Sequence, residues 1–133
     1  MRKINEIIIH CTATPAGRNV SIGEIDRWHR ARGFNGIGYH FVIALDGTVM
    51  KGRDITLAGA HCKGHNANSI GVCYVGGCDA SMSPADTRTP AQRTALQRFI
   101  RHLRDLYPEA TVHGHNEYAA KACPCFNVRD EIP

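Results

Sequence analysis

Five residues near the start, Glu6-Ile7-Ile8-Ile9-His10, place the strongest limit on what this chain can fold into. Three β-branched residues in succession are stiff at χ1 and favour extended backbone. Without a polar residue at every second place, the run reads as a strand buried on both faces. Such a strand needs a layer on each side. It ends where Cys11-Thr12-Ala13-Thr14-Pro15-Ala16-Gly17 turns small and polar. His10 therefore stands at the rim of a buried strand where a loop begins, a common place for a site residue and equally one for a satisfied structural histidine.

The other elements fit around that strand. Ser21 with Glu24 three residues later forms a capping box. Ile22, Ile25 and Trp28-His29 recur at helical spacing to about Arg32, where Gly33 stops the helix, and Trp28 is expected in the core. Gly38–Ile43 reads as a second strand, turned by Asp46-Gly47 into Thr48-Val49-Met50 as a hairpin. Alternation sends Tyr39 and His40 to opposite faces, so one of the two is expected to face any given site. Ser69–Val75 is a third strand, ended by Gly76-Gly77. Thr89-Pro90 opens a helix whose stripe runs through Leu96, Phe99, Ile100, Leu103, Leu106 and Tyr107 to Pro108. Ala110–His113 is a short last strand. No repeat or linker appears, so residues 1–133 are expected to be one α/β domain, a central mixed β-sheet flanked by helices.

Length and composition exclude several classes. A chain of 133 residues buries about two thirds of its unfolded surface without staples. No apolar stretch approaches the roughly 20 residues needed to cross a bilayer, so no membrane partner is expected. The net charge of +4 is modest and its basic residues are scattered, well short of a nucleic-acid footprint. Met1-Arg2-Lys3 followed by a short apolar run lacks the pattern of a signal peptide, which implies cytoplasmic synthesis. With no secretory signal, the six cysteines are expected to be reduced thiols, with one metal ligand among them.

Chemistry concentrates in the run from His113 to Cys125, which holds His113, His115, Lys121, Cys123 and Cys125. Imidazole and thiolate are the usual zinc donors. His115 and Cys123 lie eight residues apart, a spacing that suits a loop closing over a metal. His10, at the end of a different buried strand, is the natural third donor. Two histidines and one cysteine leave the fourth zinc position open, the pattern of a catalytic site. His61-Cys62-Lys63-Gly64-His65 also looks like a donor cluster, but i, i+4 histidines share a metal only on a helix. Its glycine argues instead for a polar, substrate-facing loop.

Taken together, Ile8-Ile9-His10-Cys11-Thr12-Ala13-Thr14, Gly38-Tyr39-His40-Phe41, Asp46-Gly47-Thr48, Gly52-Arg53-Asp54, His65-Asn66-Ala67-Asn68-Ser69-Ile70-Gly71-Val72 and His115…Lys121-Ala122-Cys123-Pro124 resemble the zinc-dependent N-acetylmuramoyl-L-alanine amidases. That family includes small phage endolysins, the lysozyme-like amidases of phage, and peptidoglycan recognition proteins. The resemblance spans residue 7 to about 126 and looks closest to the endolysin branch. It implies Zn2+ on His10, His115 and Cys123, with Tyr39 and Lys121 as the catalytic pair. The implied reaction is hydrolysis of the amide joining N-acetylmuramic acid to L-alanine in peptidoglycan, by a metal-activated water at the lactyl carbonyl. Tyr39 is the expected general base and Glu117 a second candidate. Arg53 is open to pairing with a stem-peptide carboxylate or with a nearby acid.

Other readings stand beside this one. A peptidoglycan-binding module without activity is the main alternative, although retention of Cys123 argues against it. His115-Asn116-Glu117 before a cysteine pair faintly resembles a zinc deaminase, but its cysteines are too close in sequence. Some endolysins of this branch bind their phage's RNA polymerase, which the sequence does not test. The chain is expected as a monomer that reaches the cell wall after release or export by another protein. Cys125 is a competing thiolate or an oxidisable partner for Cys123, so sensitivity to oxidants is expected.

Overall fold

The isoleucine run becomes β1 (Glu6–Cys11), with Ile7, Ile8 and Ile9 fully buried in the computed structural model, which describes residues 2–132. In chain order there follow β2 (Thr14–Pro15), α1 (Ile22–Ala31), β3 (Phe41–Ile43), β4 (Val49–Lys51) and β5 (Ser69–Tyr74). Then come β6 (Gly77–Cys78), α2 (Pro90–Leu106), β7 (Thr111–Gly114) and α3 (Val128–Glu131). Five strands form one sheet in the order β4-β3-β5-β1-β7. β1 is parallel to both its neighbours, β3 is parallel to β5, and β3 and β4 form the antiparallel hairpin. This is the mixed α/β domain expected from the sequence.

Period-two alternation divides β1 between two environments. Ile7, Ile9 and Cys11 join Ile70, Val72 and Tyr74 of β5 in a core closed by Leu96, Ile100 and Leu103 of α2. Ile8 and His10 take the other face. On that side Val42 and Cys73 pack with Val20 and with Ile25 of α1. Both helices start as their sequences direct. The Ser21 hydroxyl accepts from the Glu24 amide at 3.1 Å, and Thr89 accepts from the Gln92 amide at 3.0 Å. Gln92 is fully buried, and its side chain donates to the Val75 carbonyl at 2.9 Å, closing the gap between α2 and the sheet.

Three expectations change. Trp28 is 36% exposed, with the Arg18 guanidinium over its ring at 5.4 Å. Ile22, Ile25 and His29 share the inward face at i, i+3 and i+7, which leaves Trp28 on the flank. His29 is buried in its place and accepts the Gly38 amide on Nδ1 at 2.8 Å. The second strand begins at Phe41 rather than Gly38. Gly38 runs against the 58–60 loop so closely that a Cβ there would lie 2.0 Å from the Ala60 carbonyl oxygen. Finally, β2 and β6 pair as a separate parallel sheet, too short to leave a pattern in the sequence.

The C-terminal segment is tied down by Arg88. Its buried guanidinium donates to both carboxylate oxygens of Asp86, at 2.9 and 2.8 Å, and to both of Glu131, at 2.7 and 2.9 Å. It also stacks on Phe126 at 3.4 Å. Val128 and Ile132 then enter the core under β7.

Candidate active site

Parallel neighbours deliver their C-terminal ends to the same side, and here β1 and β7 do so together. His10 sits near the end of β1, and His115 opens the 3-10 turn that follows β7. Their ring centroids are 4.6 Å apart. Cys123 returns to them along the terminal loop, its Sγ 3.9 Å from His10 Nδ1. One donor atom from each of the three lies within 4.8 Å of the others, the one such group of His, Cys, Asp and Glu among the described residues. The Cys11 amide donates to the Cys123 sulfur at 3.2 Å and holds it in place. On the other side of that loop, Tyr74 donates its hydroxyl to the Pro124 carbonyl at 2.6 Å and fixes the turn after Cys123.

The electrostatics suit metal ligation. Burial pushes the His10 imidazole well below its usual range, reinforced by His61, His115 and Lys121. Burial lowers His115 as well, again with help from the Lys121 charge. Both rings are thus held neutral with a lone pair to offer. Two imidazole nitrogens and one cysteine sulfur, brought within 4.8 Å of one another, are a donor set that fits zinc. Lys121 is exposed, yet near enough for its charge to act on both histidines.

Tyr39 joins this group. Its ring lies 5.1 Å from that of His10 and 5.1 Å from that of His29. Burial, with the thiols of Cys73, Cys123 and Cys11 nearby, pushes its hydroxyl well above the usual phenol range. A phenol so placed holds its proton and acts as a hydrogen-bond donor more readily than as a base. His40 diverges from it, as alternation predicts. Its Nδ1 accepts the Gly71 amide at 3.0 Å and its Nε2 donates to the Leu57 carbonyl at 2.8 Å, so it holds the 57-loop to the sheet.

Other candidates are engaged elsewhere. Glu117 accepts from the Gly114 amide at 2.7 Å and contacts His113 Nδ1 at 2.9 Å, a local brace for the turn that carries His115. Arg53 donates to the backbone carbonyls of Ile37 at 2.9 Å and Ala58 at 2.8 Å; its role is to staple loops. The Cys125 thiol turns to the Gly77 carbonyl at 3.4 Å, and burial pushes it up to about 12. His61 and His65 separate rather than cluster. His65 meets Glu6 at 2.9 Å and stacks on Tyr118 at 3.8 Å, whereas His61 is buried against His10. A groove of about 710 Å³ between the β3–β4 turn and α2, lined by Val49, Ala95 and Phe99, contains none of these groups.

A family model described as N-acetylmuramoyl-L-alanine amidase matches residues 1–126. The chain belongs to this amidase family. The endolysin of Enterobacteria phage K11 is 43% identical over 128 residues, covering 96% of this chain and 85% of that protein. The endolysin of Escherichia phage T7 is 45% identical over 123 residues, covering 92% and 82%. Among solved structures, the N-acetylmuramoyl-L-alanine amidase LysC from Clostridium intestinale is similar with a TM-score of 0.80 at 32% identity. That match covers 95% of this chain and 79% of the other.

Two features of this amidase site had little signal in the sequence. The Cys11 amide reaches Cys123 only because the terminal loop folds back across β1. His61 was visible as a polar loop residue, but its contact with His10 depends on how that loop crosses the sheet. The adjacent glycines give the one hint: a Cβ at Gly71 would lie 2.8 Å from the His61 ring.

Proposed function

We propose that this amidase uses zinc held by His10, His115 and Cys123 to hydrolyse the amide between the lactyl group of N-acetylmuramic acid and L-alanine of the peptidoglycan stem peptide. The observation that carries the reading is the convergence of three donors from opposite ends of the chain within 4.8 Å, in a family of that activity. Zinc bound there supplies a Lewis acid and lowers the pKa of a water from about 15.7 toward 7.

The chain's own groups supply the rest. His10 and His115, neutral through burial, keep their lone pairs for the metal at neutral pH. The Lys121 ammonium, exposed but close enough for its charge to reach both histidines, stabilises negative charge developing on the scissile carbonyl oxygen. The Tyr39 hydroxyl, held protonated, donates a hydrogen bond into the reacting group, while the proton released by the attacking water is the one that reaches the departing L-alanine nitrogen. The cell wall is the site of action.

The test is digestion of purified peptidoglycan with and without a zinc chelator, followed by identification of the new ends. Free L-alanine amino termini without new reducing sugar ends, lost on chelation, are expected. New reducing ends, cleavage indifferent to chelation, or binding without any cleavage would overturn the reading.

A further inference from the structure

We propose that His61 is a positioning residue for the metal centre, holding His10 in the ring orientation and tautomer that present Nδ1 to Cys123 and His115. The inference rests on the reading of those three residues as zinc donors. His61 Nδ1 lies 2.8 Å from His10 Nε2, and the His61 Nε2 lies 3.1 Å from the Ser69 hydroxyl. All three side chains are buried. His10 Nδ1 is the nitrogen that faces Cys123, 3.9 Å from its Sγ.

The tautomers follow from donor counting. For His10 to offer a lone pair on Nδ1, its one proton must sit on Nε2. That proton needs an acceptor in a buried place, and His61 Nδ1 is the acceptor in reach. His61 then carries its own proton on Nε2 and donates it to the Ser69 hydroxyl. Each polar atom in the row is satisfied when the lone pair on His10 is free for a metal. Metal-ligating histidines commonly donate their second N–H to such an acceptor, and removing it typically costs 10–100-fold in metal affinity.

The surroundings leave His61 little freedom to turn. A Cβ at Gly71 would come within 2.8 Å of its ring and one at Gly59 within 2.4 Å, so both positions need glycine for the ring to sit there. The amides of His61 and Cys62 both donate to the Asn66 side-chain oxygen at 2.9 Å, which fixes the backbone that carries the ring. The loop after β4 is therefore shaped around one imidazole. An ordinary loop histidine would need none of this.

The experiment measures zinc affinity of the purified full chain by competition with a chromophoric chelator, alongside the visible absorption of the cobalt-substituted protein. Three variants are compared with the parent. His61→Leu keeps bulk and removes the acceptor; it is expected to weaken zinc binding by about 10–100-fold and to shift the cobalt bands. His61→Asn places a carboxamide oxygen near the position of Nδ1 and is expected to recover most of that affinity. Ser69→Ala removes only the outer acceptor, and a smaller loss in the same direction is expected; it also serves if His61→Leu does not fold. Melting of the metal-free proteins separates positioning from packing, since a purely structural role would lower the metal-free melting temperature of His61→Asn and His61→Leu alike. Unchanged zinc affinity in His61→Leu, or equal losses in His61→Leu and His61→Asn, would overturn the proposal. Failure of the parent chain to bind zinc would instead overturn the reading on which it rests.

Discussion

The two faces of β1 are made by one six-residue strand, yet they do different work. Ile7, Ile9 and Cys11 face a dry layer of aliphatic side chains beneath α2. Glu6 and His10, on the other face, meet His65, His61, Tyr118 and Tyr39. The first face gains stability from area removed from water. The second buries imidazoles and half-buries a carboxylate, which is tolerable only where each polar atom has a partner. No buried side-chain nitrogen or oxygen among the described residues lacks a hydrogen-bond partner, so the polar face is complete as it stands. The sheet is therefore a support with a stabilising back and a reactive front, and the two are separable by mutation.

The largest effect is expected at the front. Cys123→Ser should lower zinc occupancy and amidase rate together, by about 10³-fold or more in rate, because several kcal/mol of charge stabilisation depend on the metal. Lys121→Ala should retain zinc and lose about 10²–10³ in kcat through the missing cation. Metal analysis paired with turnover on soluble muropeptide separates the two. If Lys121→Ala lost its zinc, or Cys123→Ser kept both zinc and rate, the assignment of ligand and catalyst would fail.

The back is expected to respond in the opposite sense. Leu96 is fully buried under the sheet, and Leu96→Ala should cost about 2–5 kcal/mol of unfolding free energy by leaving a cavity. Zinc affinity of the protein that remains folded should be unchanged. Urea denaturation and chelator competition on the same sample check both halves. A loss of affinity without a loss of stability would show that the two faces are coupled.

Acid should distinguish the faces more gently. Burial lowers the folded-state pKa of His10, and it brings that of His61 to about 3. An unfolded chain takes up protons on both below about pH 6.5, whereas the folded chain does not. Stability is therefore full above that value and falls as pH drops from about 6.5 toward 3, by up to about 1.4 kcal/mol per pH unit for each ring. The carboxylates of the Arg88 clamp, Asp86 and Glu131, are held low by that guanidinium, so their contribution is lost only at lower pH, through the acid range of carboxylates. Denaturation midpoints between pH 7 and 5 should report the buried and half-buried histidines, His29, His40 and His115 among them, and His61→Asn should flatten the slope. An unchanged slope in that variant would remove His61 from the account.

How far the sequence revealed this arrangement depends on what each feature requires. The isoleucine run, the capping boxes of Ser21 and Thr89 and the Asp46-Gly47 turn are local signals, and each element appeared where expected to within a few residues. The convergence of His10, His115 and Cys123 was legible because donor type and strand ends could be combined across more than a hundred residues. Contacts made by loops crossing the sheet were not legible. The His10–His61 pair, the Cys11 amide on Cys123 and the Arg53 staples depend on three-dimensional paths that periodicity does not encode. Glu117 shows the converse: its place in the motif suggested chemistry, but the nearest partners of its carboxylate are a backbone amide and His113.

The smallest expected effect concerns Trp28, where chemistry alone misleads. Its size and the helical spacing around it suggest a core residue, and truncating a core tryptophan costs about 3–5 kcal/mol. In the fold it lies on the flank of α1, 36% exposed, while Ile25 and His29 make the inward contacts of that helix. What Trp28→Ala removes is the covered part of the ring and the Arg18 contact at 5.4 Å, a cation–π interaction worth about 0.5–1 kcal/mol at an exposed site. The expected loss is about 1 kcal/mol, read as a small shift in urea midpoint with zinc affinity intact. His29→Ala on the same helix should cost more, because it strands the buried Gly38 amide next to Tyr39. If Trp28→Ala proved the more damaging of the two, the inward face of α1 would have to be redrawn, and with it the packing that holds Tyr39 against His10.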